Sequence, residues 1–399
     1  MSPSRRAIAL RLALVTVAGV AAGRVARALL APPYDWHFVY VMPYDNDLDR
    51  CTAPITEALQ RVAEHPRVAV TVLSDGVARD GLRVRLITRD AKRERRIRSE
   101  DSADPAQVAA LLDGAVSEAR ARRYVVVFLD HGGMLDQMGY DERPGLDASV
   151  ASAPTWLSAR AVGDVLRAWM RRHRLDARAV PLVFLQQCGR ASIEALSNLR
   201  ATSEAVLASQ REVGTCNTYY ASLLDYAAAH PDASPRDLSR VVARADLNFR
   251  SYTLVRTAAL DRWTPLARAL SDALLDGPSP PDGGTLTSLR PCFSAGMEQN
   301  YDLLQVTDAL ASGRGPAVTR AASDVERWVR RELVMEHLRR GDDRASAGWC
   351  GVSTMVPALE GWFAFYPRQV AYRDTRWSEV LSRAAPTLGI TVRPRPRTP

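Results

Sequence analysis

Short apolar runs alternate with helix-like stretches from Trp36 onward, and this alternation restricts the fold more than any other feature. Strands that alternate with helices are typical of a parallel sheet covered by helices on both faces. A chain of 399 residues with 47% hydrophobic content is long enough to bury the core of such a sheet. We therefore predict an α/β fold. The candidate strands are residues 37–42, 68–73, 124–129, 181–185 and 205–208.

Helix-capping residues indicate two of the connecting helices. One follows Ser102 or Asp104 as the N-cap residue, with Pro105 in its first turn. The other spans residues 158–172 and places apolar side chains along one stripe. Residues 82–88 could add a hairpin to the second strand.

The second half of the chain has a different pattern. Beyond residue 221 it is helical in periodicity, and a segment rich in Gly and Pro at 276–284 indicates a loop or linker. Helices are predicted at 301–311 and 317–340. A mixed segment at 351–366 could return strands to the sheet or form a small subdomain.

The N-terminal segment differs in composition from the rest of the chain. Arg5 and Arg6 precede an uncharged stretch at residues 12–23, which is typical of an export signal or a membrane anchor. The sequence around these arginines is similar to a twin-arginine export motif. An ordinary amphipathic leader helix is the alternative. We predict that residues 1–33 are a signal peptide or anchor, with possible membrane association, and that the protein is exported or membrane-anchored rather than cytoplasmic.

Charge and cysteine content exclude other classes of protein. The net charge is +8, but Lys92 is the only Lys and the arginines are interleaved with acids, so we predict no nucleic-acid partner. The five cysteines are odd in number, widely scattered and never in a Cys-x-x-Cys arrangement. We therefore expect neither a disulfide framework nor a zinc cluster. An odd count leaves at least one thiol without an intramolecular partner.

Two successive candidate strands end in residues that can react. The strand at 124–129 is followed by Asp130, His131 and Gly132, and the strand at 181–185 by Gln186, Gln187 and Cys188. In an open parallel sheet, ligands bind beyond the carboxyl ends of the strands, so His131 and Cys188 should face one crevice. Taken singly, a Cys at a strand end is more often a buried small apolar residue, and a His before Gly is often a turn residue.

The chemistry of these residue types explains their use at such a crevice. A thiolate is the reactive form of Cys, and a helix beginning near Arg190 would favour that form at Cys188 through its dipole. His131 would protonate a leaving amine and later activate water. The backbone N–H groups of Gly132 and Cys188 could form an oxyanion hole. We therefore predict His131 and Cys188 as the catalytic residues.

The sequences around these residues resemble those of a known peptidase clan. Gln186-Gln187-Cys188-Gly189, preceded by His131, partly matches the caspase signature. The clostripain group of that clan is similar over residues 36–385, including the opening strand with its acidic turn and Asp130-His131-Gly132-Gly133. The resemblance to clostripain-like cysteine peptidases implies a caspase-like three-layer sandwich with a mainly parallel central sheet and a mostly helical C-terminal region. It divides the chain into a catalytic domain at 34–230, a helical region at 231–385 that packs on or completes it, and a tail at 386–399.

The same resemblance implies an activity. Members of the family are cysteine endopeptidases that cleave protein or peptide substrates through an acyl-thioester, and they are often activated by a cut between the His and Cys motifs, here at 134–160. No cofactor is chemically required, although calcium assists some members. Gln186, Ser209 and Gln210 are implied as substrate-binding residues. Because Gln186 stands where relatives have an Asp that attracts a basic side chain, preference for Arg or Lys is not expected to carry over.

Other interpretations of the same residues remain open. Asp45, Asp47 and Asp49 imitate the first half of a calcium-binding loop, but Arg50 and Thr56 stand where that loop needs Gly and Glu. A solvated acidic turn accounts for them better, and no metal ligand is assigned. The main rival function is a catalytically inactive, membrane-tethered binding or scaffold protein with the same fold. A different acyl-thioester enzyme, such as a transpeptidase, is a third interpretation.

Overall fold

The computed structural model describes residues 33–78, 81–99, 101–135, 137–145, 153–359, 361–366 and 369–385. The predicted N-terminal signal or anchor, apart from residue 33, and the predicted tail at 386–399 lie outside the described residues. Within the described residues, none of the helices has both the length and the apolar character needed to cross a bilayer.

Fourteen strands are present in the described residues, and nine of them form one sheet. The strands are β1 Tyr34–Pro43, β2 Val68–Asp75, β3 Leu82–Ile87, β4 Lys92–Ile97, β5 Ala121–Leu129, β6 Gln137–Asp141, β7 Thr155–Ser158, β8 Leu182–Gln186, β9 Ala205–Ala208, β10 Ser251–Arg256, β11 Phe293–Ala295, β12 Glu298–Asp302, β13 Val334–Arg339 and β14 Ser353–Pro357. The large sheet has the order β13-β10-β9-β8-β5-β1-β2-β3-β4. Its five central strands, β9 to β2, are parallel, and two antiparallel strands extend it at each edge. The remaining strands form a three-stranded sheet, β11-β12-β14, and the β6-β7 hairpin.

Helices cover both faces of the large sheet. They are α1 Thr52–Leu59, α2 Pro105–Glu118, α3 Ala159–His173, α4 Ile193–Ser197, α5 Tyr220–Ala229, α6 Pro235–Ala245, α7 Trp263–Leu275, α8 Leu303–Ala311, α9 Pro316–Trp328 and α10 Trp377–Ala384. Successive β1 side chains alternate between two buried clusters, so that Val39 packs with α2 and α3 while Tyr40 packs with α1 and α5. This alternation is the period of two that a strand imposes. The predicted α/β sandwich with three layers is confirmed.

The five central strands and the hairpin strand after β2 lie where the sequence predicts them. Asp104 caps α2 by accepting a hydrogen bond from Ala106 N at 2.9 Å, and Ser158 caps α3. Apolar runs bounded by turn residues and capped helices are the strongest local signals in a sequence, which is why these elements were predictable.

Two predictions for the second half of the chain are wrong in part. The helical pattern beyond residue 221 is interrupted by β10, which pairs with β9. The helix predicted at 317–340 gives way to a short π-helix at Val329–Leu333 and then to β13. The mixed segment supplies β14 to the small sheet. Pairing with a distant strand overrides local periodicity at these places. The C-terminal region therefore adds two strands to the central sheet as well as helices.

A disulfide joins Cys51 to Cys216, across 165 positions of sequence, with the two α-carbons 5.4 Å apart. This single disulfide was not predicted, because the fold brings together two cysteines whose spacing in the sequence does not indicate a pair. Cys188, Cys292 and Cys350 are free thiols. The disulfide connects a 3₁₀ turn at Asp47–Cys51, just after β1, to the loop between β9 and α5.

Candidate active site

The sheet places the two predicted catalytic residues on neighbouring strands. β5 and β8 are parallel and adjacent, and their last paired residues are Leu129 and Gln186. Each strand is followed within two residues by one of these side chains, His131 after β5 and Cys188 after β8. The register therefore brings both residues to the same edge of the sheet, where parallel sheets bind their ligands.

The backbones of the two motifs touch at Gly132. A Cβ atom built on Gly132 would overlap the carbonyl oxygen of Cys188 and lie 3.0 Å from its amide nitrogen. Only glycine allows this approach. Among the described residues, the backbone hydrogen bonds outside helices and strands include none donated by Gly132 N–H or Cys188 N–H. Neither N–H group therefore has a backbone carbonyl partner of that kind, and the two backbones are in contact.

The buried side chain of Arg190 links the His motif to the Cys motif by hydrogen bonds. Its side chain is buried, with 1% of its surface exposed, and it donates to the carbonyl of Cys188 at 3.1 Å. It also donates to the carbonyls of Gly133 at 2.8 Å and Gln137 at 2.7 Å. A guanidinium presents five N–H donors in a fixed fork, and this one therefore fixes the two loops relative to each other. The sequence predicts only a helix start near this position.

His131 has an acidic partner that the sequence analysis did not identify. Its Nε2 lies 2.7 Å from Oδ1 of Asp47, in the acidic turn after β1. The Tyr140 ring packs against the imidazole edge to face, with the ring centroids 6.5 Å apart. Because β1 is the neighbour of β5, the turn that follows β1 lies beside the residues that follow β5. That adjacency is the signal from which Asp47 could have been found.

A buried polar network fixes the acidic turn. Asn46 Nδ2 donates to Asp130 Oδ1 and to the Tyr140 carbonyl, both at 2.9 Å, and Asn46 Oδ1 accepts from Leu48 N. Asp130 has a positive φ of 124°, a conformation unusual for a residue other than glycine. Its carboxyl also accepts from Tyr140 N. Burial raises the pKa of Asp130 well above its usual range. The residue before His131 is thus held in an unusual conformation by its neighbours.

The Cys188 thiol is enclosed by the loop that follows β9. Its Sγ accepts from Val213 N at 3.3 Å and lies 3.7 Å from the Val213 carbonyl. Burial raises the pKa of Cys188, and the hydrogen bond from Val213 opposes this in part. The helix expected near Arg190 begins at Ile193 and has five residues, so the predicted dipole effect is not what sets the state of the thiol. Burial around Cys188 therefore favours the protonated thiol.

Gln186 lies in a buried hydrogen-bond network. Its Nε2 donates to Asn217 Oδ1 at 2.5 Å, and its Oε1 accepts from the Tyr219 hydroxyl at 2.5 Å. Asn217 in turn donates to Asp246 at 2.8 Å. Only 4% of the Gln186 surface is exposed. Both the oxygen and the nitrogen of the Gln186 amide are therefore engaged in hydrogen bonds within the protein, and neither faces a substrate.

Ser209 and Gln210, the other predicted substrate-binding residues, follow β9 and are fully buried. Ser209 Oγ accepts from Arg211 N at 3.0 Å. Gln210 lies near Cys292 and Asp302, beneath the small sheet. In this structure the side chains of both residues face the interior, and a direct role in binding stays a prediction.

The acidic turn does not present a free set of metal ligands. Asp45 forms an ion pair with Arg143 at 2.7 Å, and Asp47 contacts His131. Across the described ranges, no group of three or more His, Cys, Asp or Glu side chains is arranged to hold a metal ion. Two of the three carboxylates of this turn, those of Asp45 and Asp47, are therefore engaged with cationic or hydrogen-bonding partners.

A mainly parallel sheet between two helical layers, with His and Cys after adjacent central strands, defines the caspase-like class of α/β folds. Solved structures place the chain within that class more narrowly. A secreted C11 cysteine protease from Bacteroides thetaiotaomicron, solved with an irreversible peptide inhibitor, matches 86% of this chain and 99% of its own, with a TM-score of 0.62 and 13% identity. The chain therefore has the fold of C11, clostripain-like proteases.

Two further structures show the same likeness. An inactive zymogen C11 protease from Parabacteroides distasonis has a TM-score of 0.57 at 14% identity and covers 86% of this chain and 98% of its own. A second structure of a secreted C11 protease from Bacteroides thetaiotaomicron, iotapain, has a TM-score of 0.57 at 11% identity, with coverage of 88% and 99%. No family model matches the sequence, and no curated protein matches it. The likeness is one of fold.

Proposed function

We propose that the protein is a cysteine endopeptidase in which Cys188 is the nucleophile and His131 the proton-transfer partner. The observation that carries the proposal is the contact between the two motifs: Gly132 packs on the backbone of Cys188, and His131 precedes it at the same sheet edge. A nucleophile, a base and two backbone donors at one edge are what acyl transfer needs. Protein or peptide substrates are proposed because the similar structures are proteases, one of them bound to a peptide inhibitor.

The chemistry follows from these positions. Cys188 Sγ attacks the carbonyl carbon of the scissile bond while its proton passes to His131, and the N–H groups of Gly132 and Cys188 stabilise the oxyanion. His131 then donates that proton to the amine, the C–N bond breaks, and a thioester remains on Cys188. Water adds to the thioester with His131 as base, and the acid leaves as the thiol is restored. No cofactor takes part in this sequence.

The enclosed thiol sets a condition for the first step. In the present arrangement Val213 occupies the hydrogen-bonding positions around Sγ, and burial favours the protonated form. Substrate binding has to displace the Val213 contact and bring the thiol to His131. Activation by a cut within residues 134–160 would supply such a rearrangement, and we include it in the proposal. An uncut single chain with full activity on a denaturing gel would contradict this part.

Export is proposed from the N-terminal sequence and from the secreted proteins of similar fold. An extracellular or periplasmic location also agrees with the Cys51–Cys216 disulfide, since disulfides persist in oxidising compartments. Subcellular fractionation with N-terminal sequencing would test this. Recovery of the full-length protein in the cytoplasm alone would contradict export.

Incubation of the full chain with a peptide library, read by mass spectrometry, tests the peptidase activity. We expect cleavage by the wild type, none by Cys188→Ala, and retained cleavage by Cys350→Ala, which removes a buried thiol elsewhere. Equal background cleavage by wild type and Cys188→Ala would contradict the proposal. It would favour the interpretation as an inactive binding or scaffold protein. Peptides joined to an added amine, instead of hydrolysed, would indicate a transpeptidase.

A further inference from the structure

Asp47 contacts the imidazole of His131 but is not required by the reaction as written above. We propose that Asp47 is a positioning residue, which fixes the Nε2 proton of His131 and thereby directs the Nδ1 lone pair to the chemistry at Cys188. The inference rests on the proposed peptidase function and adds a third member to its catalytic group. The structural observation is the 2.7 Å contact between Asp47 Oδ1 and His131 Nε2.

The contact determines which imidazole nitrogen is available. A carboxylate accepts hydrogen bonds only, so a neutral His131 facing Asp47 carries its proton on Nε2. Nδ1 is then unprotonated and able to take the thiol proton. In hydrolases with a Ser-His-Asp group, the acid holds the imidazole in the correct tautomer in the same way. The Tyr140 ring on one edge of the imidazole further limits its rotation.

Asp47 is held in place from both ends of its turn. Asn46, on one side, is anchored to Asp130 and to the Tyr140 carbonyl, which flank His131 in space. On the other side, Cys51 ends the turn and is joined by the disulfide to Cys216. The loop of Cys216 also contains Val213, which contacts the Cys188 thiol. One covalent link therefore connects the turn that orients His131 with the loop that encloses Cys188.

The pair does not serve mainly to stabilise the fold. Its side chains are exposed, 37% for His131 and 63% for Asp47, and exposed ion pairs contribute little to folding. Removal of the carboxylate should therefore leave a folded protein whose defect is confined to catalysis. Asp49, two residues along the same turn, provides the matched control. Its backbone N–H donates to the Asn46 carbonyl at 3.1 Å, and its own carbonyl accepts from Thr52 N.

The test compares Asp47→Ala, Asp47→Asn and Asp49→Ala in the full chain. We expect kcat of Asp47→Ala to fall about tenfold with KM nearly unchanged, because an orienting contact acts on the chemical step. Asp47→Asn carries an amide N–H that can donate to Nε2 and so favours the wrong tautomer, and its loss should be at least as large as that of Asp47→Ala. Asp49→Ala should match the wild type. Wild-type kcat for Asp47→Ala, or an equal loss in Asp49→Ala, would overturn the proposal.

A spectroscopic measurement separates this inference from the peptidase proposal. Nitrogen-15 NMR of the imidazoles, with the His131 signal assigned from a His131→Ala variant, reports which nitrogen carries the proton. We expect the Nε2–H form in the wild type and a mixture of tautomers in Asp47→Ala. An unchanged tautomer in Asp47→Ala would overturn the positioning role. If the wild type cleaves no peptide, the peptidase proposal fails, while the tautomer still decides the role of Asp47.

Discussion

Gly132 and Cys188 share a backbone contact in which there is no room for a side chain on the glycine. The contact joins the residues that follow two adjacent strands, which are also held together by the sheet pairing and by the hydrogen bonds of Arg190. A change at Gly132 therefore acts on both motifs at once.

Gly132→Ala should abolish peptidase activity and lower stability. The added methyl group overlaps the Cys188 carbonyl, and relief requires the two loops to separate, at a cost of about 1–3 kcal/mol in free energy of unfolding. Denaturant unfolding and peptide cleavage measure the two effects. Gly341→Ala is the control, since a Cβ there meets nothing within 4 Å. A fully active Gly132→Ala would contradict the proposed oxyanion hole.

Removal of the disulfide should destabilise the protein by about 2–4 kcal/mol, because the link closes a long loop of the unfolded chain. The variant is Cys51→Ser with Cys216→Ser, and the measurement is chemical unfolding without reductant. Reductant should lower the stability of the wild type towards that of the variant and leave the variant unchanged. Equal stability of the oxidised wild type and the variant would show that the link adds nothing.

Gln186 and Tyr219 should be energetically coupled. Gln186→Ala removes the buried donor to Asn217 Oδ1 and the buried acceptor of the Tyr219 hydroxyl, at a cost of about 1–3 kcal/mol. Tyr219→Phe removes the other side of the same hydrogen bond. The double variant should therefore lose less stability than the two single losses combined, as a double-mutant cycle would measure. Strictly additive losses would contradict the network.

Asp75→Asn should stabilise the protein in a pH-dependent way. Burial, with a contribution from Asp141, raises the pKa of Asp75 to about 8, far above the value of about 3.9 expected in the unfolded chain. The folded state then keeps a proton that the unfolded state loses, so stability falls as pH rises from 4 to 8.

The asparagine variant removes this penalty, since its side chain does not ionise. We expect a gain of about 2 kcal/mol at pH 7 and none at pH 4, measured by urea unfolding at both pH values. Asp90→Asn makes the same change of charge at an exposed position and should have little effect at either pH. A gain of equal size at pH 4 and pH 7 would exclude ionisation of Asp75 as its cause.

The parallel core was predictable because its strands are continuous apolar runs, such as that of β5, whose last six residues are buried. β4 was not, since its sequence Lys-Arg-Glu-Arg-Arg-Ile is almost entirely exposed and its strand character depends on pairing with β3. β10 and β13 were missed for a related reason. The strands with which they pair lie far away in sequence, and the local hydrophobic periodicity does not indicate that pairing.

At the candidate site, sequence patterns located His131 and Cys188 but not the residues that support them. Asp47 lies in a segment whose acidic composition is typical of a solvated turn. Its contact with the His131 imidazole depends on the adjacency of β1 and β5. Arg190 is a single Arg in an Arg-rich chain, and its burial follows from the packing of two loops. Partners of this kind depend on tertiary contacts that spacing cannot encode.

The strand order has a consequence for biosynthesis. As the chain leaves the ribosome, Cys188 and β9 appear before the strands that close their side of the sheet, β10 and β13. Until Ser251–Arg256 has been made, β9 has an open apolar edge, the kind of surface through which nascent chains aggregate or recruit chaperones. A fragment that ends at residue 230 would keep that edge permanently. A minimal unit for expression therefore has to extend through Arg339.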